Sequence, residues 1–161
     1  MQGTLLRALL LIALAFASPA GATEGELEAS ASGFCEGLKQ VAALALSRER
    51  FASITGQSKE GDFHGTTLPL VGWHDCSIYG RNTYTCDSRN LGSAEQAERL
   101  QAQALELIRT CPGGAWKEVA DRSSPSYVIL QNTVGPVSLT LSTDLTDDDK
   151  HVIHLILFIR R

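Results

Sequence analysis

The chain has 161 residues, of which 14 are Lys or Arg and 18 are Asp or Glu, so its net charge at neutral pH is −4. The basic residues are scattered along the sequence, whereas a face that binds nucleic acid or an anionic membrane needs clustered Lys and Arg. Length and charge therefore predict a single domain with its own core and argue against nucleic acid as a partner.

The N-terminal segment is typical of a cleavable export signal. Arg7 supplies one positive charge, and residues 8–17 (ALLLIALAFA) form an apolar run. This run is shorter than the ~20 residues of a membrane span and falls within the ~7 to 15 residues of a signal sequence. We expect cleavage after Ala22, with cleavage after Ala20 as the alternative. The sequence thus predicts a periplasmic or secreted protein that has no membrane span once residues 1–22 are removed.

The next segment is expected to be a leader followed by a helix. Residues 23–32 (TEGELEASAS) are small and acidic and predict a mobile leader. From residue 34 to about residue 55, apolar side chains recur every three to four positions, which is typical of an amphipathic helix. Residues 56–65 contain three glycines and predict a flexible connection. A single domain is therefore expected over residues 33–161.

A β-hairpin is predicted after this connection. Residues 73–79 and 83–87 are rich in β-forming side chains and flank a turn at residues 80–82. Because side chains alternate between the two faces of a strand, Cys76 and Cys86 fall on the same face of the hairpin. We expect this face to be the inner one.

The other face of the hairpin is predicted to carry two aromatic residues, Trp73 and Tyr79, among polar neighbours. Aromatic side chains in polar surroundings are typical of protein interfaces. Trp73 and Tyr79 therefore form a predicted partner surface, and the alternative is that they pack beneath the loop at residues 56–65.

A second helix and a series of strands complete the chain. Ser93 and Gln96 form a capping-box pattern, and apolar residues at helical spacing continue it to about residue 110. Strands are expected in the β-rich runs at residues 115–120, 127–132, 137–142 and 152–159. The predicted fold class is α+β, with two helices on one face of a largely antiparallel sheet of five to seven strands. The element order is α-β-β(-β)-α-β-β-β(-β), with two disulfides.

All four cysteines, Cys35, Cys76, Cys86 and Cys111, follow the signal segment. An even number of cysteines in an oxidising compartment predicts two disulfides. No C-x-x-C pair occurs, which argues against zinc binding and thiol redox catalysis. Helices packed on the inner face favour Cys35–Cys76 and Cys86–Cys111. The pairing of Cys76 with Cys86 stays open, because opposed residues of neighbouring strands can lie ~4.5 Å apart.

The last predicted strand, residues 152–159, is apolar on both of its faces. A strand with one face in water should instead alternate apolar and polar residues. Two helices cover only one face of a sheet well, so we expect a homodimer or a protein partner on the second face. A sheet that curls on itself is the alternative.

No residue pattern predicts a catalytic, cofactor or metal site. His151 and His154 are three residues apart on a predicted strand, so they should point to opposite faces. The aspartates within residues 144–149 lack the glycine and the closing glutamate of an EF-hand and indicate a solvated turn. His74 and Asp75 are neighbours on a strand and should also diverge.

The leading functional prediction is a small secreted or periplasmic binding or interaction protein of the cell envelope, such as an accessory factor, an inhibitor or a chaperone-like module. The alternative is an envelope hydrolase of unrecognised type, in which His64, His74 or His151 meets carboxylates in a cleft. An exposed apolar or aromatic patch supports the first prediction, and a polar cleft with a His–carboxylate pair supports the second.

Overall fold

The structure is a computed structural model that describes the backbone of residues 24–113 and 116–160 and the side chains from residue 30 onwards. The predicted signal peptide, residues 1–22, lies outside the described residues. None of the described helices is long and apolar enough to cross a membrane.

The described chain contains two α-helices and eight β-strands. The helices are α1 (Glu24–Leu46) and α2 (Ala94–Thr110). The strands are β1 (Thr55–Ser58), β2 (Phe63–Thr66), β3 (Asp75–Tyr79), β4 (Thr83–Asp87), β5 (Trp116–Glu118), β6 (Tyr127–Asn132), β7 (Val137–Leu145) and β8 (His151–Ile159). Short 3-10 helices lie at Ala52–Ile54 and Ala120–Arg122.

All eight strands form one antiparallel sheet in the order β1-β2-β3-β4-β8-β7-β6-β5. Each helix is followed by four strands that pair successively, and the two sets meet where β4 pairs with β8. The predicted α+β fold class is confirmed, with eight strands instead of five to seven. The additional strands β1 and β2 occupy the predicted flexible connection. Their short sequences (TGQS and FHGT) lack the alternation of apolar and polar residues that predicts a strand.

Helix α1 begins and ends earlier than its sequence pattern predicts. It starts at Glu24, so residues 24–32 of the predicted leader are helical. Glu and Ala favour helices, but this stretch lacks the apolar stripe that identifies a packed helix. The helix ends at Leu46, where the hydroxyl of Ser47 donates a hydrogen bond to the Leu44 carbonyl oxygen at 2.8 Å and so competes with further helical bonding.

The inner face of the sheet packs against the helices and forms the core. Both cysteines of the hairpin are buried there, as the alternation of residues 76–86 predicts, and so is Tyr84. The hydroxyl of Tyr84 donates to the Leu68 carbonyl oxygen at 2.7 Å, which satisfies the polar group. The other core side chains of this face and of the helices include Phe34, Leu38, Val41, Ile78, Ile108, Leu130, Leu139, Leu141, Ile153, Leu155 and Leu157.

The two disulfides join Cys35 to Cys111 and Cys76 to Cys86, with Cα–Cα distances of 5.2 and 4.0 Å. The favoured pairing, Cys35–Cys76 with Cys86–Cys111, is therefore wrong, and the alternative pairing is correct. The reason is the register of the hairpin, which puts Cys76 directly opposite Cys86. Cys111 ends α2 beside α1, so the Cys35–Cys111 disulfide links the two helices to each other and not to the sheet.

Disulfide mapping of the unreduced protein tests this connectivity. Trypsin cleaves between each successive pair of cysteines, after Lys39, Arg81 and Arg89. The four cysteines therefore separate onto four peptides, and mass spectrometry should recover the two linked pairs of the structure. A peptide in which Cys86 is linked to Cys111 would contradict this fold.

The two disulfides should differ in their contributions to stability. They close loops with sequence separations of 76 and 10 residues, for which loop-closure entropy gives about 4.5 and about 2.7 kcal/mol. We expect the double variant Cys35→Ala/Cys111→Ala to lose about 2 kcal/mol more free energy of unfolding than Cys76→Ala/Cys86→Ala. Urea denaturation of both variants measures the difference, and equal losses would argue against an entropic role for the helix–helix link.

Candidate binding face

No helix of the described chain covers the sheet face opposite α1 and α2, which we call the open face. Strand register identifies its side chains, because residues paired across strands point to the same side. Central positions are Ser77, Thr85, Ile156, Thr140 and Ile129, in order across five neighbouring strands. A parallel row at the end of the hairpin contains Phe63, Tyr79, Thr83, Phe158 and Ser138.

An apolar band runs across the open face. Ile129, Ile156 and Phe158 are half-buried. Ser138 and Thr140 beside them are only 2% and 3% exposed, because short hydroxyl side chains are shielded by their larger neighbours. Strand β8 is thus apolar on both faces, as the sequence indicates, but its second apolar face is only half covered by the described chain.

Phe63 and Tyr79 extend the band towards the edge of the sheet. Their ring centroids are 4.9 Å apart, and the residues are 42% and 47% exposed. Trp73, the other aromatic residue of the predicted partner surface, lies elsewhere. It precedes β3, after a turn in which its N–H donates to the Leu70 carbonyl oxygen, and it packs against the core. Strand β3 begins only at Asp75, so the alternation of side chains between its faces does not include Trp73. Tyr79 therefore lies on the open face, and Trp73 does not.

Acidic side chains gather at the end of the open face away from the hairpin turn. Asp75 and Asp87 are directly opposite each other on β3 and β4. The Lys59 ammonium group lies 2.5 Å from Asp75 Oδ1 and donates to the Ser77 hydroxyl at 2.7 Å. This end of the face is therefore a network of ion pairs and hydrogen bonds.

The His154 ring lies between two carboxylates in this network. Its Nδ1 is 2.7 Å from Oδ1 of Asp87, and its Nε2 is 3.6 Å from Oδ2 of Asp144. The hydrogen bond to Asp87 raises the pKa of His154 above its ordinary value; burial of the ring opposes the shift, and the charges of Asp87 and Asp144 add to it. The ring is thereby stabilised as an imidazolium ion.

An Asp–His pair can orient a general base, but this arrangement favours an ion cluster. Asp144 faces the ring nitrogen that a base would need free, and protonation removes its lone pair. Ser142 lies directly opposite His154 on β7, yet its hydroxyl donates to Asp144 at 3.5 Å. In the described chain, no hydroxyl or thiol group is hydrogen-bonded to His154.

The three histidines that the sequence offers for a hydrolase do not meet carboxylates. Within the described residues, His64, His74 and His151 form no ion pair with a carboxylate, whereas His154 does. The alternation of side chains along each strand is enough to predict that Asp87 and His154 face outward. It does not predict that they are close together, because this depends on the pairing of β4 with β8. The described chain contains no group of three or more His, Cys, Asp or Glu side chains that could hold a metal ion.

The chain was also compared with known proteins. No protein-family model matches it, and neither a curated protein nor a solved structure matches it. Its two disulfides are compatible with an extracellular or periplasmic protein.

The ion cluster predicts the titration of His154. NMR should give this ring a pKa above the ordinary value of about 6.5. Asp87→Asn should lower that pKa, because the variant removes the carboxylate that accepts the hydrogen bond, and Asp144→Asn should lower it less. Asp121→Asn, in the second 3-10 helix, is the matched control and should leave it unchanged. Equal effects of all three variants would rule out the specific pair.

The same cluster predicts how stability changes with pH. A histidine whose pKa is raised on folding stabilises the native state when it is protonated. This contribution is complete below about pH 6.5 and is lost as the pH rises through the folded-state pKa. His154→Gln should therefore flatten the decline in the free energy of unfolding above pH 6.5, as measured by urea denaturation at a series of pH values.

Proposed function

We propose that this chain is a small exported binding protein of the cell envelope and that its open face binds a protein partner. The observation that carries the proposal is the apolar band on a sheet face that no described helix covers. The band consists of Phe63, Tyr79, Ile129, Ile156 and Phe158. The export signal predicted at residues 1–22 and the two disulfides support a periplasmic or secreted location.

The chemistry of the band suits a protein interface. Interfaces combine an apolar centre that contains aromatic residues with a polar rim. Here the ion pairs of Asp75 and Asp87 border the band at one end of the face. The expected partner therefore presents an apolar segment to the band and places basic groups near Asp87 and Asp144.

A hydrolase is the second candidate, and the Asp87–His154 pair is the observation that favours it. It ranks below binding because Asp144 faces the second ring nitrogen and the raised pKa disfavours the neutral, basic form of the ring. The roles of an orienting carboxylate and a base require that neutral form.

Site-specific photo-cross-linking tests the binding surface. A benzoylphenylalanine placed at Thr85, in the centre of the open face, should form an adduct with a partner in the native envelope fraction. The same group at Val134, which is 80% exposed in the turn between β6 and β7, is the positional control and should not form that adduct. Mass spectrometry of the adduct identifies the partner for purification.

Binding of the purified partner then gives the decisive measurement. Ile129→Lys should weaken its affinity at least about fivefold, because a charge placed against an apolar interface should cost more than ~1 kcal/mol. Val134→Lys is the matched control and should leave the affinity unchanged. Equal effects of the two variants would contradict the proposal. An adduct between two copies of this chain would assign the face to self-association instead.

A further inference from the structure

A cleft of about 420 Å³ opens at the end of the open face beside the turn between β3 and β4. Its apolar lining includes Ile156, Phe158 and Ile159 of β8. Arg50 and Arg81 line the same cleft from two segments that are distant in sequence. The cleft is therefore lined by an apolar wall and by two arginine residues.

The positive charge of the cleft is not neutralised by the described chain. No carboxylate lines the cleft, and neither Arg50 nor Arg81 lies within 4 Å of a described carboxylate. Asp62 is the acidic residue beside the turn, since its carbonyl oxygen accepts the Gly80 N–H at 3.1 Å, but it does not line the cleft. By contrast, Arg99 and Arg109 elsewhere are each paired with a glutamate.

Two further features distinguish the turns that line the cleft. Arg50 has a φ of 52°, a left-handed conformation that non-glycine residues rarely adopt and that tends to occur at functional sites. The side-chain oxygen of Asn82 is buried without a hydrogen-bond partner in the described chain.

We infer that this cleft binds a small organic anion with an apolar body, such as a medium-chain or aromatic carboxylate. Guanidinium groups bind carboxylates through paired, charge-assisted hydrogen bonds, which assigns the anionic end to Arg50 and Arg81. The apolar body lies against Ile156 and Phe158. The cleft volume is within the ~300 to 1,000 Å³ of small-molecule sites. This anion site shares Ile156 and Phe158 with the proposed protein interface, but binding of a small anion there does not require that a protein partner exists.

Calorimetric titration with three probes tests both parts of the site. Octanoate carries the charge and the chain, 1-octanol carries the chain alone, and acetate carries the charge alone. We expect octanoate to bind at least tenfold more tightly than either of the others. Equal affinities for octanoate and octanol would overturn the inference, because the arginines would then contribute nothing.

Variants of the lining locate the site. Arg81→Gln changes an exposed side chain and should weaken octanoate binding at least tenfold, and Arg50→Gln should have a similar effect. Arg89→Gln, just after β4 and outside the cleft, is the matched control and should bind octanoate normally. NMR shifts induced by octanoate should centre on Ile156 and Phe158. Shifts centred instead on the apolar cleft between the helices, around Phe34 and Trp73, would overturn the assignment.

The two proposals fail independently in these experiments. Ile129 does not line the cleft, so Ile129→Lys should abolish partner binding and preserve octanoate binding. Arg81→Gln should have the opposite pattern. Loss of octanoate binding in both variants would contradict the assignment of the anion site to this cleft.

Discussion

The antiparallel pairing of β4 with β8 is the contact on which the whole sheet depends. Each half of the chain supplies a helix and four successively paired strands, and this single pairing makes one sheet from them. It sets Cys86 beside Leu155 in the core and, on the open face, Asp87 beside His154. The ion cluster and the apolar band are therefore products of the same register, and a shift by one residue would move both to the other face.

The disulfides stabilise this arrangement at two levels. Cys76–Cys86 lies within one hairpin and fixes a register that hydrogen bonds already define. Cys35–Cys111 instead joins the helix of the first half to the end of the helix of the second. The halves are thus held together by strand pairing in the sheet and by a covalent bond in the helical layer. The Cys35–Cys111 disulfide closes the longer loop and so constrains the unfolded chain more strongly.

The local features of this fold are readable from the sequence, and the long-range ones are not. Ser93 caps α2 by accepting the Gln96 N–H at 3.3 Å, as the capping-box pattern predicts. The inner position of Cys76 and Cys86 follows from simple alternation. The disulfide partners and the Asp87–His154 pair depend instead on which distant segments meet, and sequence periodicity carries no information about that. The same limit explains why the sequence alone predicts no carboxylate partner for His154.

Strand β8 shows how one sheet can have a fully buried inner face and a partly exposed apolar outer face. Leu155 and Leu157 are fully buried beneath the helices, while Ile156 and Phe158 between them are only half-buried. On the open face the neighbouring strands supply Thr85 and Thr140, whose β-branched side chains favour the strand while limiting the apolar area. The band is consequently narrow at its centre and widens towards the hairpin turn. Aromatic rings lie at that end and carboxylates lie at the other, so a partner bound across the face would meet different chemistry at its two ends and bind in one orientation.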